Sequence, residues 1–240
     1  MQTVKPTPGQ TVKWLVVIIV VSLSGGAMAI DRLLLATQLW PPYQTLEDGQ
    51  WGGVATERVQ CALRRMDQPY ELHMMRWDKA QLMVETNQMQ GFFSGSNNAT
   101  RAAYAVPSIP VISENLSWFV APNLAIDLDD ETAKYQARFG AKFNTNKWLS
   151  LVKEGYNVVK KPRDSDALAQ MLWQGDIDVA LEYELVFEYS MKKLGIPDNY
   201  FRKIPKGTQS LAVHFSKEFL RQNPQFLDRF NQALSLCIEE

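Results

Sequence analysis

Residues 82–93 read Leu-Met-Val-Glu-Thr-Asn-Gln-Met-Gln-Gly-Phe-Phe, and residues 168–179 read Leu-Ala-Gln-Met-Leu-Trp-Gln-Gly-Asp-Ile-Asp-Val. In both segments a helical pattern of apolar residues runs up to a glycine, Gly91 or Gly175, and a short apolar strand pattern follows. Glycine suits the left-handed position that closes a helix before a buried strand begins. The shared pattern predicts two α/β lobes that are built on one plan.

The segments on either side of these helix endings repeat the same alternation. In the first half we predict strands near residues 33–37, 71–75 and 91–94, with helices near residues 54–66 and 77–88. After an extended stretch at residues 112–121, the second half predicts strands near residues 138–142, 157–160 and 177–181, with helices near residues 147–154, 165–173 and 184–194. Such alternation is typical of an α/β protein whose sheets are flanked by helices.

Cys61 and Cys237 are the only two cysteines of the chain. They are too few for a structural zinc site and too far apart for a redox CxxC pair. Cys61 falls on the polar face of the helix predicted at residues 54–66, where a buried free thiol is not expected. We therefore expect a disulfide, which is the natural state of such a pair in an oxidising compartment. Two unpaired cysteines are the alternative.

The tail of the chain predicts a strand at residues 211–215 and a last helix, with Leu227, Phe230, Leu234 and Cys237 on one face. A disulfide to Cys61 would tie this helix to the first lobe. We therefore predict that lobe 1 comprises residues 30–120 and 208–240, and that lobe 2 comprises residues 121–207. The chain then crosses between the lobes near residues 120–122 and 206–210, and paired crossings make a hinge.

The N-terminal segment carries Lys5 and Lys13 without an acidic residue, then an apolar run over residues 14–23, then the triplet Ala27-Met28-Ala29. This order is typical of a secretory signal peptide, with cleavage expected after Ala29. A membrane anchor is the alternative, but serines and glycines interrupt the apolar stretch before it reaches roughly 20 residues. Removal of the signal and its two lysines changes the formal charge from −1 to −3 and leaves a mature protein of 211 residues. This charge balance offers no basic patch for nucleic acid.

Three short motifs of the first lobe carry a resemblance to a known family. They are Trp40-Pro41-Pro42-Tyr43, Trp77-Asp78 and Ser94-Gly95-Ser96-Asn97-Asn98-Ala99-Thr100-Arg101. With these motifs the chain resembles the family 3 extracellular solute-binding proteins, the polar amino-acid receptors of bacterial ABC importers. The resemblance implies a two-lobed type II periplasmic-binding-protein fold, in which Ser94, Ser96 and Arg101 surround the carboxylate of a small ligand.

The chemistry of the segment at residues 94–101 agrees with an anion-binding role. A helix that begins near Asn98 presents free backbone N–H groups to an anion. Arg101 in its first turn adds a planar fork that holds a carboxylate, whereas an arginine is otherwise unfavourable at this end of a helix. An ion pair with a surface acid is the alternative for Arg101. Trp40 and Trp77 lie on predicted strand-to-helix loops and are expected to sandwich the ligand, with core packing as the alternative.

The second lobe is where the sequence departs from the family pattern. The resemblance implies a ligand-binding hydroxyl near the first helix of this lobe, where Thr145 and Asn146 stand. It implies an amine-binding aspartate where this sequence has Tyr183, flanked by Glu182 and Glu184. We expect Thr145, Asn146, Glu182 and Tyr183 to contact a ligand that carries a carboxylate, while an ordinary α-amine is in question. An acidic helix start is the alternative role of the two glutamates.

The motifs of common hydrolases, metalloproteases and nucleotide enzymes do not occur in the mature sequence. We expect no enzyme activity, no cofactor and no metal. The hypothesis is a monomeric periplasmic protein that captures a small carboxylate-bearing solute by hinge closure, with an ABC permease as its partner. The alternatives are a ligand-binding accessory of a sensor in the inner membrane, and a cyclohexadienyl dehydratase-like enzyme that uses Glu182 or Glu184 as an acid.

Overall fold

The computed structural model of the protein describes residues 1–3 and 32–238. The strands are β1 (Leu33–Thr37), β2 (Thr45–Glu47), β3 (Gln50–Gly52), β4 (Tyr70–Met74), β5 (Gly91–Gly95), β6 (Ala105–Val120), β7 (Phe139–Gly140), β8 (Val179–Tyr183) and β9 (Arg202–Ser216). The helices are α1 (Val54–Arg65), α2 (Trp77–Glu85), α3 (Ala99–Tyr104), α4 (Ala133–Gln136), α5 (Asn146–Lys153), α6 (Ser165–Trp173), α7 (Glu184–Lys193), α8 (Lys217–Gln222) and α9 (Phe226–Ile238).

Two long antiparallel strands, β6 and β9, connect the halves of the molecule. They pair along their whole length, from Ala105 opposite Ser216 to Val120 opposite Arg202. Strands β4, β1 and β5 extend the sheet on one side and β8 and β7 extend it on the other, in the order β4-β1-β5-β9-β6-β8-β7. Parallel and antiparallel pairs both occur in this sheet. The predicted mixed α/β fold with two lobes and two crossings is therefore confirmed.

Each lobe has a hydrophobic core of its own. In the first lobe, α1 and α9 pack on the sheet, and Phe215 of β9 contacts the rings of Phe226 and Phe230 in α9. In the second lobe, one cluster contains Phe119 and Phe187 between β6 and α7, and another contains Trp118 and Phe139 between β6 and β7. Because β6 and β9 contribute to the cores of both lobes, a shift of either lobe has to bend these two strands.

Of the two helix endings predicted at Gly91 and Gly175, one is built differently from the prediction. Gly175 closes α6 with the expected left-handed backbone, at a φ angle of 74°. In the first lobe the left-handed residue after α2 is Asn87, with a φ angle of 57°, and not Gly91. Gly91 is required for another reason, since a Cβ atom there would lie 2.9 Å from the carbonyl oxygen of His214 on β9. Asparagine tolerates the left-handed region because its short polar side chain bonds locally.

Two further features differ in extent from the sequence prediction. Residues 157–160 do not form the predicted strand, because Val158 makes only an isolated bridge with Phe139. The pairing of β6 with β8 begins at Leu116, ahead of the crossing predicted near residue 120. The register of β6 and β9 also shifts between Leu116 and Ser117. The lobe limits at residues 120 and 208 stay a prediction.

The predicted signal peptide and its cleavage after Ala29 lie outside the described residues. Among residues 1–3 and 32–238, no helix has the length and apolar character to cross a membrane.

The expected disulfide joins Cys61 of α1 to Cys237 of α9. The two Cα atoms are 6.1 Å apart, across a sequence separation of 176 residues. The bridge fastens the last helix to the first, so the tail of the chain belongs to the first lobe. Closing so long a loop restricts the unfolded chain more than the folded one.

We predict that the double variant Cys61→Ala with Cys237→Ala lowers the free energy of unfolding by about 2–5 kcal/mol, because the unfolded chain regains the entropy of the open loop. Urea unfolding of the mature protein measures this change. A reductant should destabilise the wild-type protein to the level of the variant and leave the variant itself unchanged. Equal stability of the two proteins without reductant would contradict a stabilising bridge.

Candidate ligand-binding site

A cavity of about 30 Å³ lies between the two lobes, which is room for about two water molecules. The residues that line it come from both lobes: Gln38, Trp40, Trp77, Ser94, Ser96, Arg101, Lys142, Thr145, Asn146, Lys147, Tyr183 and Leu211. Eight of the nine ligand-binding residues predicted from the sequence are in this set, and only Glu182 is not. The structure thus brings the predicted residues together, and their binding role stays a prediction.

Ser94 has an unusual backbone at the end of β5. The pairing of β5 with β9 shifts register between Phe93 and Gly95, and Ser94 in the bulge has a φ angle of 65°. A residue with a Cβ atom is strained in this region of backbone space, and such strain concentrates at functional sites. The Ser94 hydroxyl is buried and has no hydrogen-bond partner among the described residues. A buried hydroxyl without a partner calls for a ligand or a water molecule.

Arg101 is buried without a carboxylate partner among residues 32–238. The residue belongs to α3. The Asn98 side chain caps this helix, since its oxygen accepts from the Arg101 backbone N–H at 2.7 Å. The guanidinium donates to Gln81 Oε1 at 2.9 Å and to the carbonyl oxygen of Ser96. It also lies 5.2 Å from the ring centroid of Trp77. Burial lowers the pKa of Arg101 to about 10. No acidic side chain in the described part of the chain pairs with Arg101, which disfavours the alternative ion pair with a surface acid.

The beginning of α5 brings the second lobe against the first. Thr145 caps this helix, since its hydroxyl accepts from the Trp148 backbone N–H and donates to the Lys142 carbonyl oxygen. Asn146 reaches across the cleft, where its amide donates to Ser96 Oγ at 2.7 Å and its carbonyl oxygen accepts from Asn98. These bonds hold the lobes in a closed arrangement.

Lys147 lies against Tyr183 and Glu182, where the sequence resemblance implies the binding of a ligand amine. Its Nζ lies 2.5 Å from Glu182 Oε1 and 3.8 Å from the ring centroid of Tyr183. Trp40 is next to it, with the ring centroid at 5.9 Å. Burial lowers the pKa of Lys147, and the Glu182 carboxylate opposes that effect. The Lys147 ammonium therefore contacts the side chains of both Glu182 and Tyr183.

Glu182 lies behind Lys147 and not on the cavity wall. The carboxylate is fully buried and accepts from the Tyr183 backbone N–H at 2.9 Å and from the Ser165 hydroxyl at 3.1 Å. Glu184 points elsewhere, since it accepts from the Ser117 hydroxyl at 2.6 Å and pairs with Lys203. Tyr183 itself does line the cavity. Neither glutamate presents a free carboxyl group to the cleft.

Lys142 is the third buried cation of the site. Its ammonium donates to Gln38 Oε1 of the first lobe, and the residue is 6% exposed. Burial lowers the pKa of Lys142 to about 8, against the raising effect of the Glu182 carboxylate. Arg101, Lys142 and Lys147 therefore meet at one small cavity, and Glu182 is the one carboxylate that contacts any of them within the described part of the chain.

The sequence prediction missed both lysines, and only one of them had a usable signal. Lys147 is in the first turn of α5, where the helix dipole disfavours a cation. This is the same signal that singled out Arg101. Lys142 follows a short strand, and a lysine in such a place is normally a surface residue.

Comparisons with known proteins bear on the fold. No protein-family model and no curated protein matches this sequence, but solved structures do. A histidine kinase sensor domain described as similar to periplasmic binding proteins has 14% identity and a TM-score of 0.74, over 87% of this chain and 91% of that one. The fold is that of the periplasmic binding proteins.

Two further solved structures with this fold are amino-acid-binding proteins. The arginine-, lysine- and histidine-binding protein ArtJ of Geobacillus stearothermophilus has 15% identity and a TM-score of 0.71, over 87% of this chain and 90% of that one. An ancestral amino-acid-binding protein, described as a precursor of cyclohexadienyl dehydratase, has 13% identity and a TM-score of 0.70 over the same shares. The fold implied by the sequence resemblance is thereby confirmed.

We predict that the stability of the protein without ligand rises between pH 8 and pH 10. The unfolded chain holds a proton on Lys142 up to its ordinary pKa of 10.5, whereas the folded chain loses it near pH 8. Because the unfolded chain then binds more protons, the free energy of unfolding should rise with pH, by about 2 kcal/mol from this residue.

Urea unfolding at the two pH values measures this rise, and Lys142→Met should remove the part that Lys142 contributes. Lys217→Met, at an exposed position, is the matched control and should keep the full rise. Identical pH profiles of the wild-type protein and Lys142→Met would contradict the burial of a depressed lysine.

Proposed function

We propose that the protein is an exported solute-binding protein that captures a small carboxylate-bearing solute, an amino acid or a related compound, between its lobes. One observation carries this proposal: Arg101 is buried at a cavity between the lobes with no carboxylate partner in the described residues. A buried charge without a counter-ion is costly, and a bound carboxylate would supply one.

The groups around Arg101 suit a carboxylate. The guanidinium can bind both carboxylate oxygens at once, in the geometry that favours arginine over lysine for this task. The free hydroxyl of Ser94 and the hydroxyl of Ser96 add donors on the same wall. Trp77 covers the guanidinium and would keep water from the bound group.

Closure of the lobes is the mechanism that fits this site. Contacts across the cleft include the amide of Asn146 on Ser96, the Lys142 ammonium on Gln38, and the Trp40 ring against Tyr183 at 5.5 Å. A ligand favours the closed form only through contacts that the open form lacks. Ligand selectivity in this proposal therefore resides in the second lobe, residues 121–207, and the hinge is in β6 and β9.

The cellular role completes the proposal. A signal peptide at residues 1–29 would direct the protein to the periplasm, where an ABC permease would accept the solute, and the protein would act as a monomer. Service to a sensor protein is the second candidate, and gene neighbourhood distinguishes the two. A dehydratase would need an acid at the ligand, but the oxygens of Glu182 accept from Lys147, Tyr183 and Ser165. We therefore favour binding over catalysis.

We predict that Arg101→Ala weakens carboxylate binding by at least about 2 kcal/mol, because one partner of a buried charge pair is removed. A thermal-shift screen of amino acids and organic acids first selects the ligand, which should add about 2.7 kcal/mol of stability at 100 times its dissociation constant. Calorimetry with that ligand then measures the loss.

Arg221→Ala is the matched control, because Arg221 is exposed and pairs with Glu218 away from the cleft. It should bind like the wild-type protein. Arg101→Lys keeps the charge but not the fork and should fall between the two. Wild-type affinity in Arg101→Ala would remove the site assignment.

A further inference from the structure

The cleft holds more positive than negative charge. Arg101, Lys142 and Lys147 line the cavity, and no acidic side chain lines it within the described residues. Glu182 neutralises one of the three cations. Two acids near the mouth of the cleft have partners of their own, since Asp78 pairs with Arg76 and Asp164 caps α6.

Glu114 does not remove this excess of charge. It is buried near Glu182, Glu184 and Glu188, and burial raises its pKa to about 7. The carboxyl group is therefore only partly ionised at neutral pH. Two positive charges of the cleft remain unmatched.

The subsite for a ligand amine is already filled. Lys147 lies on the Tyr183 ring and against Glu182, which also accepts from Ser165 and from the Tyr183 backbone N–H. A second ammonium would have to displace Lys147 and would face Lys142 as well. An α-amine on the ligand thus gains no free carboxylate here.

The two lysines are instead placed to receive a second anionic group. Lys142 has only the neutral amide of Gln38 as a side-chain partner among the described residues. Both lysines belong to the second lobe, whereas Arg101 belongs to the first. The wall of the same cavity also includes the apolar side chains of Trp40, Trp77 and Leu211. This arrangement matches two anionic ends joined by a short apolar spacer.

We propose that the ligand is a short dicarboxylate without an α-amine, with one carboxylate on Arg101 and Ser94 and the other on Lys142 and Lys147. The inference rests on the proposed function, and it narrows the solute to a chemical class. In the present arrangement of the lobes the cavity has room for about two water molecules, so the lobes would have to lie further apart to hold a dicarboxylate. An inorganic dianion would match the charge but would leave Trp40, Trp77 and Leu211 uncovered. The dicarboxylate also makes closure favourable, because the three cations repel one another when the lobes meet in its absence.

Calorimetry of the mature protein with matched acids tests the inference. Succinate and aspartate differ by one amine, as do glutarate and glutamate, and butyrate has one carboxylate fewer than succinate. We expect one of the two dicarboxylates to bind at least about 30-fold more tightly than butyrate, because its second carboxylate gains a buried cationic partner. It should also bind at least about 10-fold more tightly than its own amino derivative, because the added amine finds no free carboxylate.

Two variants assign the second carboxylate to the lysines. Lys142→Met removes a cation whose partner is a neutral amide, so it leaves no orphaned carboxylate; it should weaken dicarboxylate binding at least about 10-fold and change butyrate binding less than about 2-fold. Lys147→Met exposes Glu182 and should shift preference from the dicarboxylate toward its amino derivative. Lys217→Met is the control and should match the wild-type protein.

The possible outcomes separate this inference from the proposed function. If amino acids or butyrate bind as tightly as the dicarboxylates, the protein is a carboxylate receptor but the inference is wrong. If sulfate or phosphate binds more tightly than either dicarboxylate, the spacer argument fails and the inference falls. If none of these acids binds, the inference is wrong, and the broader thermal-shift screen of amino acids and organic acids decides the proposed function. Should Lys147→Met fail to fold, the selective loss in Lys142→Met decides the assignment.

Discussion

The pairing of β6 with β9 is the constraint on which the rest of the structure depends. These two strands carry the chain between the lobes, join the strands of both lobes into one sheet and contribute to both cores. They also set the distance between β5, which carries Ser94 next to its last residue, and β8, which ends at Tyr183. The walls of the cleft are therefore the ends of strands in one continuous sheet. A register shift between Leu116 and Ser117 interrupts the pairing opposite Gly207 and Pro205, next to the crossing predicted at residues 206–210.

Burial of charge then determines what this cleft can do. Desolvation lowers the pKa values of Arg101, Lys142 and Lys147 together, so closing the lobes without an anion is electrostatically unfavourable. Part of that cost is offset within the chain by Glu182, which neutralises Lys147. A bound anionic ligand would offset the rest of this electrostatic cost, and closure would then depend on the ligand. In the proposed function, this charge would favour the open form of the empty site and the closed form of the site with a bound anion.

The sequence predicted the first lobe and its wall well because local rules apply there. The helices and strands near residues 33–94 were predictable from the spacing of their apolar residues. Arg101 was predictable as a candidate anion-binding residue because it is in the first turn of a helix. Asn87 took the left-handed position predicted for Gly91, because close strand packing was the stronger demand on that glycine. The strand at residues 157–160 failed since apolar runs this short depend on tertiary partners.

The second wall was predictable only in part. Tyr183 was identified as a departure from the family pattern, and in the structure Lys147 lies on its aromatic face and against Glu182. The pairing of Lys147 with Glu182 spans two separate elements, α5 and β8, and no local pattern encodes it. The same holds for Lys142, whose hydrogen-bond partner Gln38 is distant in sequence.

The distance between the lobes, with and without a dicarboxylate, tests the coupling of closure to charge most directly. Spin labels at Leu82→Cys in α2 and Leu149→Cys in α5 stand at exposed positions on opposite sides of the cleft, while the native cysteines are bridged. Double electron–electron resonance should give a long and broad distribution of distances between the two labels without ligand. With succinate or glutarate the distribution should be short and narrow. A control pair at residues 82 and 236, both in the first lobe, should not change. A short distance in the empty protein, unaltered by saturating dicarboxylate, would contradict the coupling.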